Sequence, residues 1–252
     1  MGRHRAIGGA VARAFAREGA KLFLTGRHLA PVAVVATDVV SAGGSAEAAD
    51  VDALDEQAVD KHLKSVIDTA GRVDISFNAV GIPNTTILGV PLTELDVEQF
   101  SLPITTYVTS YFLTARLAAR RMIANRSGVI MTVTALHSRT GIPLVGGYGP
   151  AQAAKEALTR GLSAELAPQG IRVVGLRPQG MPETRTIKEA FEPRARAGMT
   201  WEQWQEFLAS RTHARRLMTL EEMANMAVFM ASDKASGMTG TTVNLTMGSL
   251  DD

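Results

Sequence analysis

Cysteine is absent from the 252 residues. That excludes disulfides, thiolate catalysis and Cys-ligated zinc. Long apolar runs are absent too, and nothing approaches the roughly 18 residues that a membrane-spanning helix needs. Neither sign of charge is in excess: 26 Lys and Arg face 25 Asp and Glu, for a net charge of +1 and a pI of about 8.1. Such a balance, with no basic stripe, argues against nucleic acid or another polyanion as partner. Internal repeats and low-complexity linkers are missing as well. What is present, 46% hydrophobic and 20% charged residues, suits one domain over 1–252 with a substantial core. The lack of cysteine fits a reducing cytoplasm. The Arg- and Ala-rich start could pass for a transit peptide, but Arg13 and Arg17 interrupt any apolar h-region.

Strand-like and helix-like segments alternate along the chain. "AKLFLTGR" (20–27), "SAEAADV" (45–51), "VDISFNAVG" (73–81), "GVIMTVTA" (128–135), "IRVVGLRP" (171–178) and "GTTVNLT" (240–246) read as short buried strands. Helical patterns cover 8–18, 28–42, 54–70, 96–124, 148–167 and 219–231, the first ending at Gly19, a plausible C′ residue. This alternation predicts an α/β fold: a doubly wound, Rossmann-type parallel sheet in a three-layer αβα sandwich.

One strand is missing. The chain opens on a glycine-rich turn leading into a helix, and a dinucleotide-binding turn should follow a strand. In the doubly wound order that first strand is central, so its absence predicts a gap in the middle of the sheet. Two explanations stand: a start assigned downstream of the true one, or a natural truncation.

The turn "MGRHRAIGG" fits Gly-x-x-x-Gly-x-Gly with Ala6 in the middle place. Small residues let the backbone approach a pyrophosphate, and the helix N-terminus offers free N–H groups. Gly2, Arg3, Arg5, Ile7 and Gly8 are therefore candidate cofactor-binding residues. After the first strand comes Gly26-Arg27, where an acidic residue would select the NAD ribose. Arg27 suits a 2′-phosphate instead, so NADP is favoured over NAD; the bland reading is a solvated surface arginine. Asp50-Val51 and Asn78-Ala79-Val80-Gly81 end the next two strands, and Asp50, Val51, Asn78, Ala79 and Gly81 complete the cofactor set.

In the order and spacing of these motifs, together with Tyr148, "RVV…RP" (172–178) and "MTGTTVNLT" (238–246), the chain resembles the short-chain dehydrogenase/reductase family, of the 3-oxoacyl and carbonyl reductase type. The resemblance spans almost the whole chain. It implies a seven-stranded Rossmann fold, a nicotinamide cofactor, hydride transfer to or from a carbonyl or alcohol carbon, and a homodimer or homotetramer built on the long fourth and fifth helices.

The family's catalytic set carries over only in part. Tyr148 stands at the position of the acid/base tyrosine. The lysine four residues later is Gln152, the serine thirteen residues before the tyrosine is Ala135, and the asparagine on the fourth helix is Tyr107. Ser138 or Thr134 can stand in for the missing hydroxyl. Lys155, seven residues after Tyr148, either substitutes for the missing lysine or is a surface lysine, the commoner case, and His137, in the same loop as Ser138, is either an acid near neutral pH or, more commonly, an exposed loop histidine. A tyrosine without a cation stays protonated at neutral pH, so it can donate a proton but accepts one poorly. Two readings follow: an NADP(H)-dependent reductase of a small carbonyl substrate with impaired acid/base chemistry, or a catalytically inactive pseudoenzyme serving as a nucleotide-binding or partner-binding subunit. No metal is expected. Residues 179–217 fall where the family carries its substrate lid. There Trp201, Trp204 and Leu208 share one helical face, which either roofs an apolar pocket or packs on the body. "RTHARR" (211–216) either attracts an acidic substrate group or ends that helix. Met223, Met226 and Met230 read as core.

Overall fold

The computed structural model describes residues 6–83, 85 and 88–250. All six expected strands are there, every one parallel to its neighbours: β1 Lys21–Gly26, β2 Ser45–Asp50, β3 Ile75–Asn78, β4 Gly128–Val133, β5 Ile171–Pro178 and β6 Thr241–Leu245. Eight α-helices are described: α1 Ile7–Arg17, α2 Leu29–Ser41, α3 Glu56–Ala70, α4 Val97–Met122, α5 Tyr148–Leu166, α6 Arg185–Arg196, α7 Trp201–Ser210 and α8 Leu220–Ala231.

Local chemistry sets the helix ends. The Asp55 and Asp96 side chains accept from the backbone N–H groups of Ala58 and Gln99 and start α3 and α4. Thr200 and Thr219 start α7 and α8 with capping boxes that Gln203 and Glu222 complete. After α1, Gly19 adopts φ +83°, while Ala20 donates to Phe15 O at 3.1 Å. That is the left-handed stop expected at Gly19.

Among the described residues the sheet is in two pieces, β1-β2 and β3-β4-β5-β6. The break falls between β1 and β3, where the doubly wound order places its first strand. One hydrophobic cluster nevertheless spans it: Leu22 and Leu24 from one piece meet Ile75, Phe77, Val129 and Met131 from the other, beneath Val11, Phe15, Val39, Met223 and Met230 of α1, α2 and α8. The opposite face carries Val66, Tyr111, Ala115, Met122 and Leu158 from α3, α4 and α5 over Ile130, Ile171 and Val173. Alternation along β4 sends Val129 and Met131 to one layer and Ile130 to the other, as a strand covered on both faces requires. The methionines of α8 are core, as expected. The strands differ in burial: β4 and β5 are mostly buried, while β1 and β3 are largely half-buried or exposed.

Candidate active site

The site lies at the C-terminal ends of β3, β4 and β5, where doubly wound sheets bind ligands. Tyr148 is the first residue of α5, and its N–H donates to Val145 O at 3.0 Å. The N-cap is Gly147, and a Cβ there would strike the Phe100 carbonyl and lie 3.1 Å from Pro103 Cγ. Glycine is therefore what lets α5 start hard against α4, and the close approach aims Tyr148 into the site.

The Tyr148 ring meets two others edge-on: Tyr107 at 5.7 Å and 70°, and His137 at 5.1 Å and 76°. Ile82, Ala151, Leu88 and Ile104 complete an apolar surround. Burial, with a smaller contribution from Tyr107, raises the phenol pKa well above its ordinary value of 10. Among the described residues no neighbouring cation opposes that shift. Tyr107, in the family's asparagine position, is 5% exposed, and its hydroxyl accepts from Ile82 N at 3.2 Å.

Gln152 is 2% exposed, and its Oε1 has no hydrogen-bond partner among the described residues. Asn78 sits at the end of β3, 4% exposed. Its Nδ2 donates to Thr114 Oγ1 at 3.1 Å, but its Oδ1 is likewise buried without a partner. Two sealed acceptors at this edge are costly, about 1–3 kcal/mol each, unless a ligand supplies donors.

Lys155 is a correction. It is not a surface lysine but is 1% exposed. Ala151, Gln152, Lys155, Glu156, Thr159 and Ser163 are all buried on α5, so a largely polar stripe is this helix's inward face. Lys155 Nζ donates to Val133 O at 2.5 Å and lies 5.7 and 5.9 Å from the Tyr107 and Tyr111 ring centroids. Burial lowers its pKa to about 7. His137 is also not exposed as expected. It is half-buried, and burial lowers its pKa to about 4.

Ser138 is engaged elsewhere. Its hydroxyl donates to Glu156 Oε1 at 2.5 Å, and Thr134 Oγ1 donates to the same oxygen at 3.1 Å. Glu156 also receives Nε of Arg177 at 2.8 Å and a second nitrogen at 2.9 Å. Burial pushes this carboxyl up, but Arg177, Ser138 and Thr134 together hold it below the ordinary range. The sequence reading missed this network. Its one available signal was Arg177 inside an otherwise apolar strand, since a buried charge needs a partner.

Of the candidate cofactor residues, Gly2, Arg3 and Arg5 lie outside the described residues. Ile7 and Gly8 open α1, whose Ala6 N-cap makes no side-chain capping bond and whose first turn holds no acid. A Cβ on Gly8 would lie 3.6 Å from that of Ala79, so the start of α1 abuts the end of β3. Arg27 and Asp50 are exposed at the adjacent ends of β1 and β2, with Val51 N bonded to Gly26 O at 3.0 Å. Gly81 follows β3, with nothing within 4 Å of an added Cβ. An uncapped helix start suits a phosphate, and the orphaned Asn78 and Gln152 oxygens suit ribose hydroxyls. These residues fit a dinucleotide.

In the 179–217 segment the aromatic stripe packs inward. Trp204 is 5% exposed and stacks on Phe207 at 5.5 Å, while Trp201 meets Phe191 of α6 at 5.1 Å. Arg194 covers the Trp204 ring at 4.1 Å. Arg211 caps α7, and Arg216 pairs with Glu222 at 2.6 Å, which favours the helix-ending reading of "RTHARR". Among the described residues no group of acids and histidines is arranged to hold a metal, and no helix is long and apolar enough to cross a membrane.

Residues 2–249 match the family model described as enoyl-(acyl carrier protein) reductase. A curated relative is gluconate 5-dehydrogenase of Gluconobacter oxydans, 26% identical over 95% of this chain and 88% of its own. Among solved structures, a gluconate 5-dehydrogenase from Burkholderia cenocepacia in complex with NADP and tartrate superposes with a TM-score of 0.85 at 26% identity, covering 98% of this chain and 92% of that one. Sorbitol-6-phosphate 2-dehydrogenase from Erwinia amylovora superposes with a TM-score of 0.91 at 24% identity, covering 99% and 97%; that likeness bears on the fold.

Proposed function

The chain belongs to the short-chain dehydrogenase/reductase family of oxidoreductases, and on that premise we propose that it is an NADP(H)-dependent reductase of a small carbonyl substrate. The observation that carries the reading is the state of Tyr148. Its phenol sits at the head of α5 with a raised pKa and, among the described residues, no cation beside it. It stays protonated at neutral pH, so it donates to a developing alkoxide but does not take a proton from an alcohol. Reduction is favoured over oxidation.

A bound nicotinamide supplies the hydride that reaches the carbonyl carbon. The start of α1 with Ile7 and Gly8, together with Asn78, Ala79, Gly81 and Gln152, holds the dinucleotide, and Asp50 and Val51 flank its adenine end. Arg27, exposed at the end of β1, supports a 2′-phosphate and hence NADP, and the gluconate 5-dehydrogenase relative of known structure carries NADP. Tyr148 passes its phenolic proton to the substrate oxygen and regains one from water. Without the lysine, acid/base catalysis loses roughly 10²- to 10⁴-fold; without the Ala135-position hydroxyl, a further 10²- to 10³-fold or so is at stake. Slow turnover is the expectation.

The test has two stages. Fluorescence titration should show NADPH binding more tightly than NADH. A panel of ketones and aldehydes should then show slow NADPH oxidation that Tyr148→Phe abolishes without changing the NADPH Kd. Tight NADPH binding with no turnover on any carbonyl would replace this reading by that of a nucleotide-binding pseudoenzyme. We also infer self-association through α4 and α5, where Phe112 is 40% exposed; sedimentation should give a dimer or tetramer.

A further inference from the structure

We propose that His137 is the hydrogen-bond donor to the substrate's carbonyl oxygen, in place of the hydroxyl that Ala135 lacks, and that the ligand it receives is an apolar carbonyl compound. The inference rests on the reductase reading.

Elimination within one loop carries it. Residues 134 to 138 follow β4 in the loop whose His137 meets the Tyr148 ring. Ala135 and Leu136 have no polar side-chain atom. Thr134 Oγ1 is committed to Glu156 and lies 3.4 Å from Leu176 O. Ser138 Oγ is committed to Glu156 at 2.5 Å, and that carboxylate is itself tied to Arg177. Freeing either hydroxyl would loosen a buried ion pair. His137 alone is uncommitted, because its Nδ1 is sealed from solvent with no hydrogen-bond partner among the described residues.

Position and chemistry agree. The imidazole lies edge-on to Tyr148, ring centroids 5.1 Å apart. The His137 backbone is fixed to the start of α5, since a Cβ on Gly149 would lie 3.2 Å from His137 O. Burial keeps the ring neutral at neutral pH, so one nitrogen carries a proton and the other does not. A carbonyl oxygen can only accept. With the proton on Nδ1, it can receive the Tyr148 phenol on one lone pair and the imidazole N–H on the other, which satisfies the orphaned nitrogen. The side chains clustered with Tyr148, namely Ile82, Leu88, Ile104 and Tyr107, are mostly apolar and offer little to a polyol's many hydroxyls and much to an apolar body.

The test uses the full chain with cyclohexanone and acetophenone as probes. His137→Phe keeps a ring against Tyr148 and removes the N–H; His137→Asn restores a donor. If the wild type reduces either ketone, we expect His137→Phe to lower kcat about 10²- to 10³-fold, with the NADPH Kd within about twofold of wild type, and His137→Asn to recover at least about tenfold of the loss. An unchanged kcat in His137→Phe, or no recovery in His137→Asn, overturns the proposal. A second readout does not need turnover: the imidazole 15N resonances of His137, followed while either ketone is added to protein saturated with NADP+. A saturable shift on one ring nitrogen supports the proposal even if the wild type turns nothing over, in which case the reductase reading falls alone. No shift overturns it whatever the kinetics.

Discussion

Glu156 of α5 and Arg177 of β5 face each other in a two-point ion pair, Nε to Oε1 at 2.8 Å and the second contact at 2.9 Å, with both side chains 3% exposed. The pair sits directly behind the loop that carries Ser138 and His137. Removing one partner strands the other charge in the interior. Glu156→Gln should cost about 3–5 kcal/mol, read as a lower denaturant midpoint. Glu156→Leu combined with Arg177→Met should cost less than either single change. Additive losses would contradict the pairing.

Lys155 should make stability depend on pH in the alkaline direction. Its pKa is about 7 folded against an ordinary 10.5, so between those values the unfolded chain binds the proton that the folded chain has released. Stability therefore rises from pH 7 to 10.5, and the full penalty applies below pH 7. At about 1.36 kcal/mol per pKa unit, the penalty at pH 7 is on the order of 4 kcal/mol. Lys155→Met should be the more stable protein at pH 7, and its advantage should shrink toward pH 10.5. Parallel stability profiles for the two proteins would refute this.

Restoring the family's groups should restore rate. Gln152→Lys together with Ala135→Ser places a cation and a hydroxyl around Tyr148. Ketone reduction should rise about 10- to 100-fold, because the acid/base step is the one being repaired. Steady-state kcat at fixed NADPH is the measurement, and no gain would mean that chemistry does not limit turnover.

Gly147→Ala should be damaging although its backbone is ordinary. The added Cβ would run into the Phe100 carbonyl, forcing α4 and α5 apart. A loss of about 1–3 kcal/mol is expected, seen as a lower Tm, with activity falling further than stability because Tyr148 is the next residue.

Much of the fold was legible because it is local. The strands at 20–27 and 128–135 and the stop at Gly19 follow from periodicity and turn chemistry over a few residues. The break that the described residues show between β1 and β3 was expected as well, since a dinucleotide-binding turn ordinarily follows the central strand. The site was less so. Lys155 and Glu156 look like a solvated charged pair until α5 is laid on the sheet, and "LHS" (136–138) gives no hint of which polar side chain stays free.

The sequence by itself determined the alternation of strands and helices, the family and the altered set of residues around Tyr148, because each is written in short-range pattern and motif spacing. Only the tertiary structure decided that Lys155 is buried beneath Val133, that Glu156 binds Arg177 and draws in Ser138, and that His137 is left facing Tyr148. Those contacts join residues 11 to 22 positions apart in the chain. They exist only once β4, β5 and α5 are stacked, when burial makes every polar group either find a partner or wait for a ligand.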